Sequence, residues 1–189
     1  MANHNFDILI IGAGPAGLYG AYYAGFRGMS VAIMDSLEEP GGQITAMYPE
    51  KAIFDVGGFP SIKGKDLIES LLKQAQPSNP KFFLNQTATT LEVNSDKSIT
   101  ISSEKESINA KAVIITGGIG KFTPRPLPAA DGWSGKGLVH FVPKLDEHKG
   151  KDVVIVGGGD SAFDWANELF PIAKSVTLIH RRDKFRAHQ

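Results

Sequence analysis

Two glycine-rich hexapeptides carry the chemistry open to this sequence. The first, Gly12-Ala13-Gly14-Pro15-Ala16-Gly17, follows an apolar run at 6–11 and opens a helix-forming stretch. In this pattern Gly12 makes a tight turn, Gly14 lets the backbone approach a pyrophosphate, and Gly17 lets the helix pack on the strand. Pro15 has its φ preset for a first helical position. Behind it, free N–H groups and the positive dipole end of the helix favour an anion. Asp35 lies 18 residues beyond Gly17, at the end of a second apolar run. A carboxylate there accepts hydrogen bonds from ribose hydroxyls.

The second hexapeptide is Gly157-Gly158-Gly159-Asp160-Ser161-Ala162, the G-x-G-x-x-A variant. Gly12 to Asp35 spans 23 residues, and Gly157 to His180 also spans 23, so His180 takes the ribose-reading position. Arg181 and Arg182 follow it, and Arg186 comes one helical turn later. Guanidinium groups in place of a carboxylate invert the preference, because a 2′-phosphate repelled by Asp is clamped by bidentate, charge-assisted bonds. The second turn is therefore expected to take NADP(H). One protein with two unlike cradles needs a carrier that accepts a hydride and releases electrons singly, which points to FAD in the first. The glycine spacing alone does not separate FAD from NAD.

The elements that must hold these turns read as an α/β chain. Strands are expected at 6–11 and 30–34, with a helix at 16–26 between them. Residues 36–62 are rich in Gly and Pro and read as a long functional loop. An amphipathic helix follows at 65–74, with Leu67, Ile68, Leu71 and Leu72 on one face. Short strands are expected near 82–84, 87–94, 97–102 and 107–110, then a last one at 112–116. Residues 117–137 are again rich in Gly and Pro and read as a connector. Beyond it come a strand at 153–156, a helix at 161–170 and a strand at 175–179. The strand–glycine turn–helix–strand unit thus recurs about 145 residues on, as in paired nucleotide domains.

Composition narrows the field. The 189 residues carry 20 Lys+Arg against 20 Asp+Glu, 42 % apolar side chains and no cysteine. The apolar content suffices for a core, and no apolar run approaches the roughly 18 residues of a membrane helix. Residues 1–118 sum to −3 and residues 119–189 to +3. Without a basic stripe and interleaved aromatics, nucleic acid is not expected as a partner. Lack of cysteine excludes disulfides, thiolate metal sites and a dithiol redox centre within these residues, and no metal is expected. The first residues, Met1-Ala2-Asn3-His4-Asn5, lack the pattern of a secretion signal, so a cytoplasmic setting is expected.

In these residues the chain resembles the pyridine nucleotide-disulfide oxidoreductase superfamily, and within it the thioredoxin-reductase-like ferredoxin/flavodoxin–NADP⁺ reductases of bacteria. The likeness is carried by Gly41-Gly42-Gln43, Met47-Tyr48-Pro49-Glu50-Lys51, Asp55-Val56-Gly57-Gly58-Phe59-Pro60, the turn at 157–162, and the run from His180 through Arg181, Arg182 and Arg186 to Ala187. It implies an α/β fold of two Rossmann-like units: an FAD part at 1–118, a connector at 119–137 and a partial NADP(H) part at 138–189. Asp35 would hold the FAD ribose, and Gly42 and Gln43 would lie against the flavin. Tyr48 would stack on the flavin ring, a use suited to tyrosine because its flat face meets the ring while the hydroxyl finds a partner. The main chain at Ala88 would meet the adenine side, Thr116-Gly117 would end the strand beneath the FAD, and Phe122 would sit near the flavin.

The same likeness implies electron transfer between NADPH and ferredoxin or flavodoxin, and a homodimer at full length. Thioredoxin reductases keep a Cys-x-x-Cys just before the second glycine turn, where this chain has Leu138-Val139-His140-Phe141-Val142-Pro143. Electrons are then expected to leave from the flavin, with no side chain doing acid–base catalysis, since ring positioning supplies most of the rate. His140 and His148 are expected on the surface. The chain ends soon after the second strand of its second unit, so truncation and weak FAD retention are expected. The rival readings are a cysteine-free thiol-disulfide reductase, a flavin monooxygenase, and a non-catalytic nucleotide-binding module.

Overall fold

The computed structural model describes residues 3–120 and 123–187. Contacts divide the chain into two compact units, Met1–Phe141 and Val142–Gln189. The first unit begins with β1 (Asn3–Ile11), α1 (Pro15–Phe26) and β2 (Val31–Met34). It continues through α2 (Gln43–Met47), β3 (Ala52–Ile53), β4 (Ile62–Lys63) and α3 (Gly64–Ala75). Four strands complete it: β5 (Lys81–Phe83), β6 (Thr90–Val93), β7 (Ile99–Ser102) and β8 (Ser107–Ile115).

Six of these strands form one sheet in the order β5-β2-β1-β8-β7-β6. The first four run parallel, and β7 and β6 close the edge antiparallel. β1 is the hinge of the design. Its side chains alternate between faces, so Ile10 packs with Leu18, Ala21, Val31, Ile33, Leu67 and Ile68 under the helices. Leu9 goes to the other face, with Ala32, Met34, Phe83, Ile101 and Ile108. Burial on both faces is why the strand reads as a continuous apolar run.

The larger departures from the sequence expectation lie in β1, β8 and the loop after β2. β1 starts at Asn3 rather than at residue 6, because residues 3–5 find ladder partners at 107–109 of β8. β8 is one strand rather than two. Lys111 lies in its middle, but the ladder runs through it from Ala110 to Ala112, and its ammonium reaches out to Asp7 at 2.7 Å. The expected loop at 36–62 holds α2 and the small antiparallel β3–β4 pair. Elements that short have no periodicity to detect, and tertiary bonds maintain them.

The second unit contains β9 (Asp152–Val156), α4 (Asp160–Leu169) and β10 (Ser175–Ile179), with β9 and β10 parallel. α4 starts one residue earlier than expected. Leu169, 2 % exposed, anchors its last turn. Among the described residues no helix is long and apolar enough to cross a membrane.

Candidate functional site

The first glycine turn sits where β1, β2 and β8 end together. Gly12 donates its N–H to Met34 at 2.8 Å, and Thr116 donates its own to Ile11 at 2.7 Å. The Thr116 hydroxyl lies 3.0 Å from the carbonyls of both Ile11 and Gly12. Gly12 has φ +108°, and a Cβ there would run into the Thr116 carbonyl. A Cβ on Gly17 would strike the Gly12 carbonyl, so Gly17 serves packing beneath the turn. Gly14 differs: only the Gly42 Cα would come near its Cβ, at 4.0 Å, so the space above it is open to a ligand. Gly14 is also the extended residue before α1, with Pro15 behind it and neither a capping side chain nor an acidic residue in the first turn. The free N–H groups of that turn are thus available to an anion.

Above the turn lies a cavity of about 550 Å³. Its walls include Gly12, Gly14, Pro15, Ala16, Asp35, Gly42, Gln43, Tyr48, Ala88, Thr116 and Gly117. The fold therefore brings eleven of the thirteen residues expected at the first site into one concavity. Gly17 lies outside it, and Phe122 falls outside the described residues. The wall also uses residues that no motif announced: Leu37, Gln86, Thr87 and Phe141. Gln86 reaches it because its N–H bonds the Asp35 carbonyl at 2.9 Å while its side-chain oxygen accepts from the Ser103 hydroxyl at 2.7 Å. Asn85 at φ +53° turns the chain there, and that Asn was the one local signal available.

Asp35 is a structural acceptor before it is anything else. Its Oδ2 accepts the Ala13 N–H at 2.6 Å and its Oδ1 the Leu37 N–H at 2.8 Å. A carboxylate has roughly four lone-pair sites, so two remain for hydroxyl donors in the cavity. The Asp35→Asn variant turns an amide N–H toward one of these backbone donors. It is expected to lose about 1–3 kcal/mol, the usual cost of an unpaired buried group. A thermal melt with a parallel measurement of bound flavin checks this, and an unchanged melt would refute it.

The segment bearing Tyr48 is clamped from below. Lys65 donates its N–H to Pro49 at 2.8 Å and Gly64 to Lys51 at 3.0 Å. Glu50 receives Lys65 at 3.0 Å and Lys63 at 3.3 Å. The Lys65 ammonium, helped by Lys63 and opposed by partial burial, holds the Glu50 carboxyl below its ordinary 4.5. A depressed carboxylate stabilises the fold above the unfolded-state value, and that contribution is lost as pH falls through the lower folded value. Wild type is therefore expected to lose stability more steeply than Glu50→Gln below about pH 4.5, in melts taken from about pH 6 to about pH 3.

The second turn repeats the first, with Ala162 in place of the last glycine and the acidic Asp160 in the first turn of its helix. Gly159 is the extended residue before α4, and no side chain caps that helix. Gly157 and Ala162 meet so closely that a Cβ on Gly157 would sit 3.0 Å from that of Ala162. Asp160 and Ser161 open α4. His180 follows β10, its ring against Gly158, and Arg181, Arg182 and Arg186 are exposed around the turn. The His180 Nε2 is buried with no protein partner. His140 is exposed and His148 half-buried. An orphaned ring nitrogen beside a glycine turn, with exposed Arg181, Arg182 and Arg186 following it in the chain, suits a phosphorylated ligand.

Residues 6–189 match the family profile described as pyridine nucleotide-disulphide oxidoreductase. A relative from Frankia alni named ferredoxin–NADP reductase is 62 % identical over 96 % of this chain. One of the same name from Saccharopolyspora erythraea is 59 % identical over 96 %. The chain spans only 56 % of the length of either relative. Among solved structures, the thioredoxin reductase of T. acidophilum superposes with a TM-score of 0.79 at 30 % identity, over 98 % of this chain and 59 % of that one. The fold is therefore the FAD/NAD(P)-binding, Rossmann-like one.

Proposed function

Because the chain belongs to the pyridine nucleotide-disulphide oxidoreductase family, we propose that it serves an FAD-dependent reductase that moves electrons between NADPH and ferredoxin or flavodoxin. Residues 1–118 hold FAD, residues 119–137 connect, and residues 138–189 hold NADP(H). The observation that carries the reading is the contrast at the two ribose positions: Asp35 backed by two N–H donors at one, His180-Arg181-Arg182 at the other.

FAD, when bound, supplies the ability to take a hydride from NADPH and to pass electrons on singly. The chain's own work is to bind and orient. The Gly12–Gly17 turn and the α1 N-terminus take the pyrophosphate, and Asp35 accepts from ribose hydroxyls. Tyr48, with Gln43 and Gly42 beside it, offers a flat wall for the flavin ring. Ala88 contributes main chain on the adenine side, and Thr116-Gly117 closes the floor. Phe122 is assigned to the flavin side. In the second unit the 157–162 turn takes the nucleotide phosphates, while Arg181 and Arg182, with Arg186, face the 2′-phosphate. These 189 residues contain no cysteine, so no dithiol among them relays electrons.

The test is reduction of an iron–sulfur protein or a dye by NADPH and by NADH, with FAD supplied. Much faster turnover with NADPH is expected, and equal rates would refute the assignment. Reduction of a low-molecular-weight disulfide, substrate-dependent oxygen uptake, or nucleotide binding without turnover would replace this reading with one of its rivals. We further place the activity in the cytoplasm, and in a homodimer at full length, the dimer being supported by the exposed Tyr19, Tyr23 and Phe26 along α1. A sedimentation mass of one chain for the full-length protein would remove the dimer.

A further inference from the structure

Residues 180–186 leave the end of β10 and come straight back to the second glycine turn. At the start of the segment His180 lays its imidazole on Gly158, so closely that a Cβ there would overlap three ring atoms. At its end Arg186 donates its N–H to the Gly158 carbonyl at 2.7 Å. One glycine therefore holds both ends of the segment. Between the anchors, Phe185 stacks on His180 with ring centroids 5.4 Å apart and planes at 26°. Phe185 also meets Phe163 of α4 edge-on, at 5.1 Å and 89°. Both geometries are favoured arrangements for aromatic rings. The exposed residues Arg181, Arg182, Asp183 and Lys184 form the short excursion that this brace supports.

A long guanidinium side chain on a loose backbone loses freedom when it grips a phosphate, and preorganisation removes part of that loss. Phe185 is half exposed, so its removal opens no large cavity in the core. We infer that Phe185, through His180 and Gly158, is a positioning residue that sets 2′-phosphate discrimination by fixing the backbone of Arg181 and Arg182 before nucleotide arrives. The inference rests on the reading of this turn as the NADP(H) site. The brace does not touch the phosphate. It decides where the arginines stand.

The experiment titrates the chain calorimetrically with adenosine 2′,5′-bisphosphate and with 5′-AMP, which differ only in the 2′-phosphate. Wild type is expected to prefer the bisphosphate. In Phe185→Ala the ratio of the two affinities should fall about tenfold, the equivalent of one charge-assisted bond. Phe185→Tyr keeps the ring stack and should restore the ratio. Gly158→Ala, which displaces the imidazole from the opposite end, should lower it as Phe185→Ala does and serves if that variant does not fold. An unchanged ratio in Phe185→Ala, together with a lowered one in Arg181→Ala plus Arg182→Ala, overturns the brace and leaves the NADP(H) reading standing. No preference in wild type overturns that reading itself, and the brace with it.

Discussion

Replacing Arg181 and Arg182 together by alanine is expected to weaken NADPH binding by about 2–3 kcal/mol, on the order of a hundredfold, while NADH is held as before. A hydrogen bond to a charged partner contributes about 1.5–3 kcal/mol, and two arginines could supply more than one. Both are exposed, so solvent and salt screen them and the pair contributes about what one unscreened bond would. NADH lacks the 2′-phosphate and gives these side chains nothing to grip. The difference should therefore appear as a rise in KM for NADPH that NADH does not share. Raising ionic strength should erode NADPH affinity in wild type and leave the double variant nearly flat. Equal losses for both nucleotides would mean that the arginines support the fold of the turn instead of reading the phosphate.

Much of the site was legible because its chemistry is set by backbone spacing. Gly12, Gly14 and Asp35 are linked by one strand–turn–helix–strand unit, and the same 23-residue step returns in Gly157 to His180. That step is fixed by the length of a helix and two strands, so the sequence could give the register without any tertiary information. Residues such as Leu37, Gln86 and Phe141 were not legible, since they reach the cavity through contacts far apart in the chain. Asp35 shows a subtler limit. Its place was readable, but its two backbone donors at Ala13 and Leu37 were not. His180 was legible as the residue at the ribose-reading place, but its packing against Gly158 was not. In the sheet, Lys111 looked like a break because a charge interrupts an apolar run. A strand with an exposed side tolerates it, since the ladder is made by backbone and the side chain finds Asp7.

Gly12→Ala should damage the fold severely, and its contrast with Gly14→Ala separates folding from binding. At Gly12 the backbone has φ +108°, and the added Cβ meets the Thr116 carbonyl. A disfavoured backbone costs about 1–3 kcal/mol, and forcing atoms into a packed region costs about 1–3 kcal/mol more. The obstacle is backbone, so no side chain can rotate away to relieve it. Yielding would move Thr116 off Ile11, where it donates at 2.7 Å, and would loosen Gly12 from Met34 at 2.8 Å. The ends of three neighbouring strands would shift together. A loss of about 3–5 kcal/mol corresponds to a melting point lower by roughly 10 °C for a chain of this size. At Gly14, φ is −71° and only the Gly42 Cα lies near, at 4.0 Å. Gly14→Ala should therefore melt like wild type yet hold flavin poorly, because its methyl projects toward the space that a pyrophosphate needs. If Gly14→Ala retained flavin as wild type does, the first turn would not be the phosphate cradle, whatever the melt of Gly12→Ala showed.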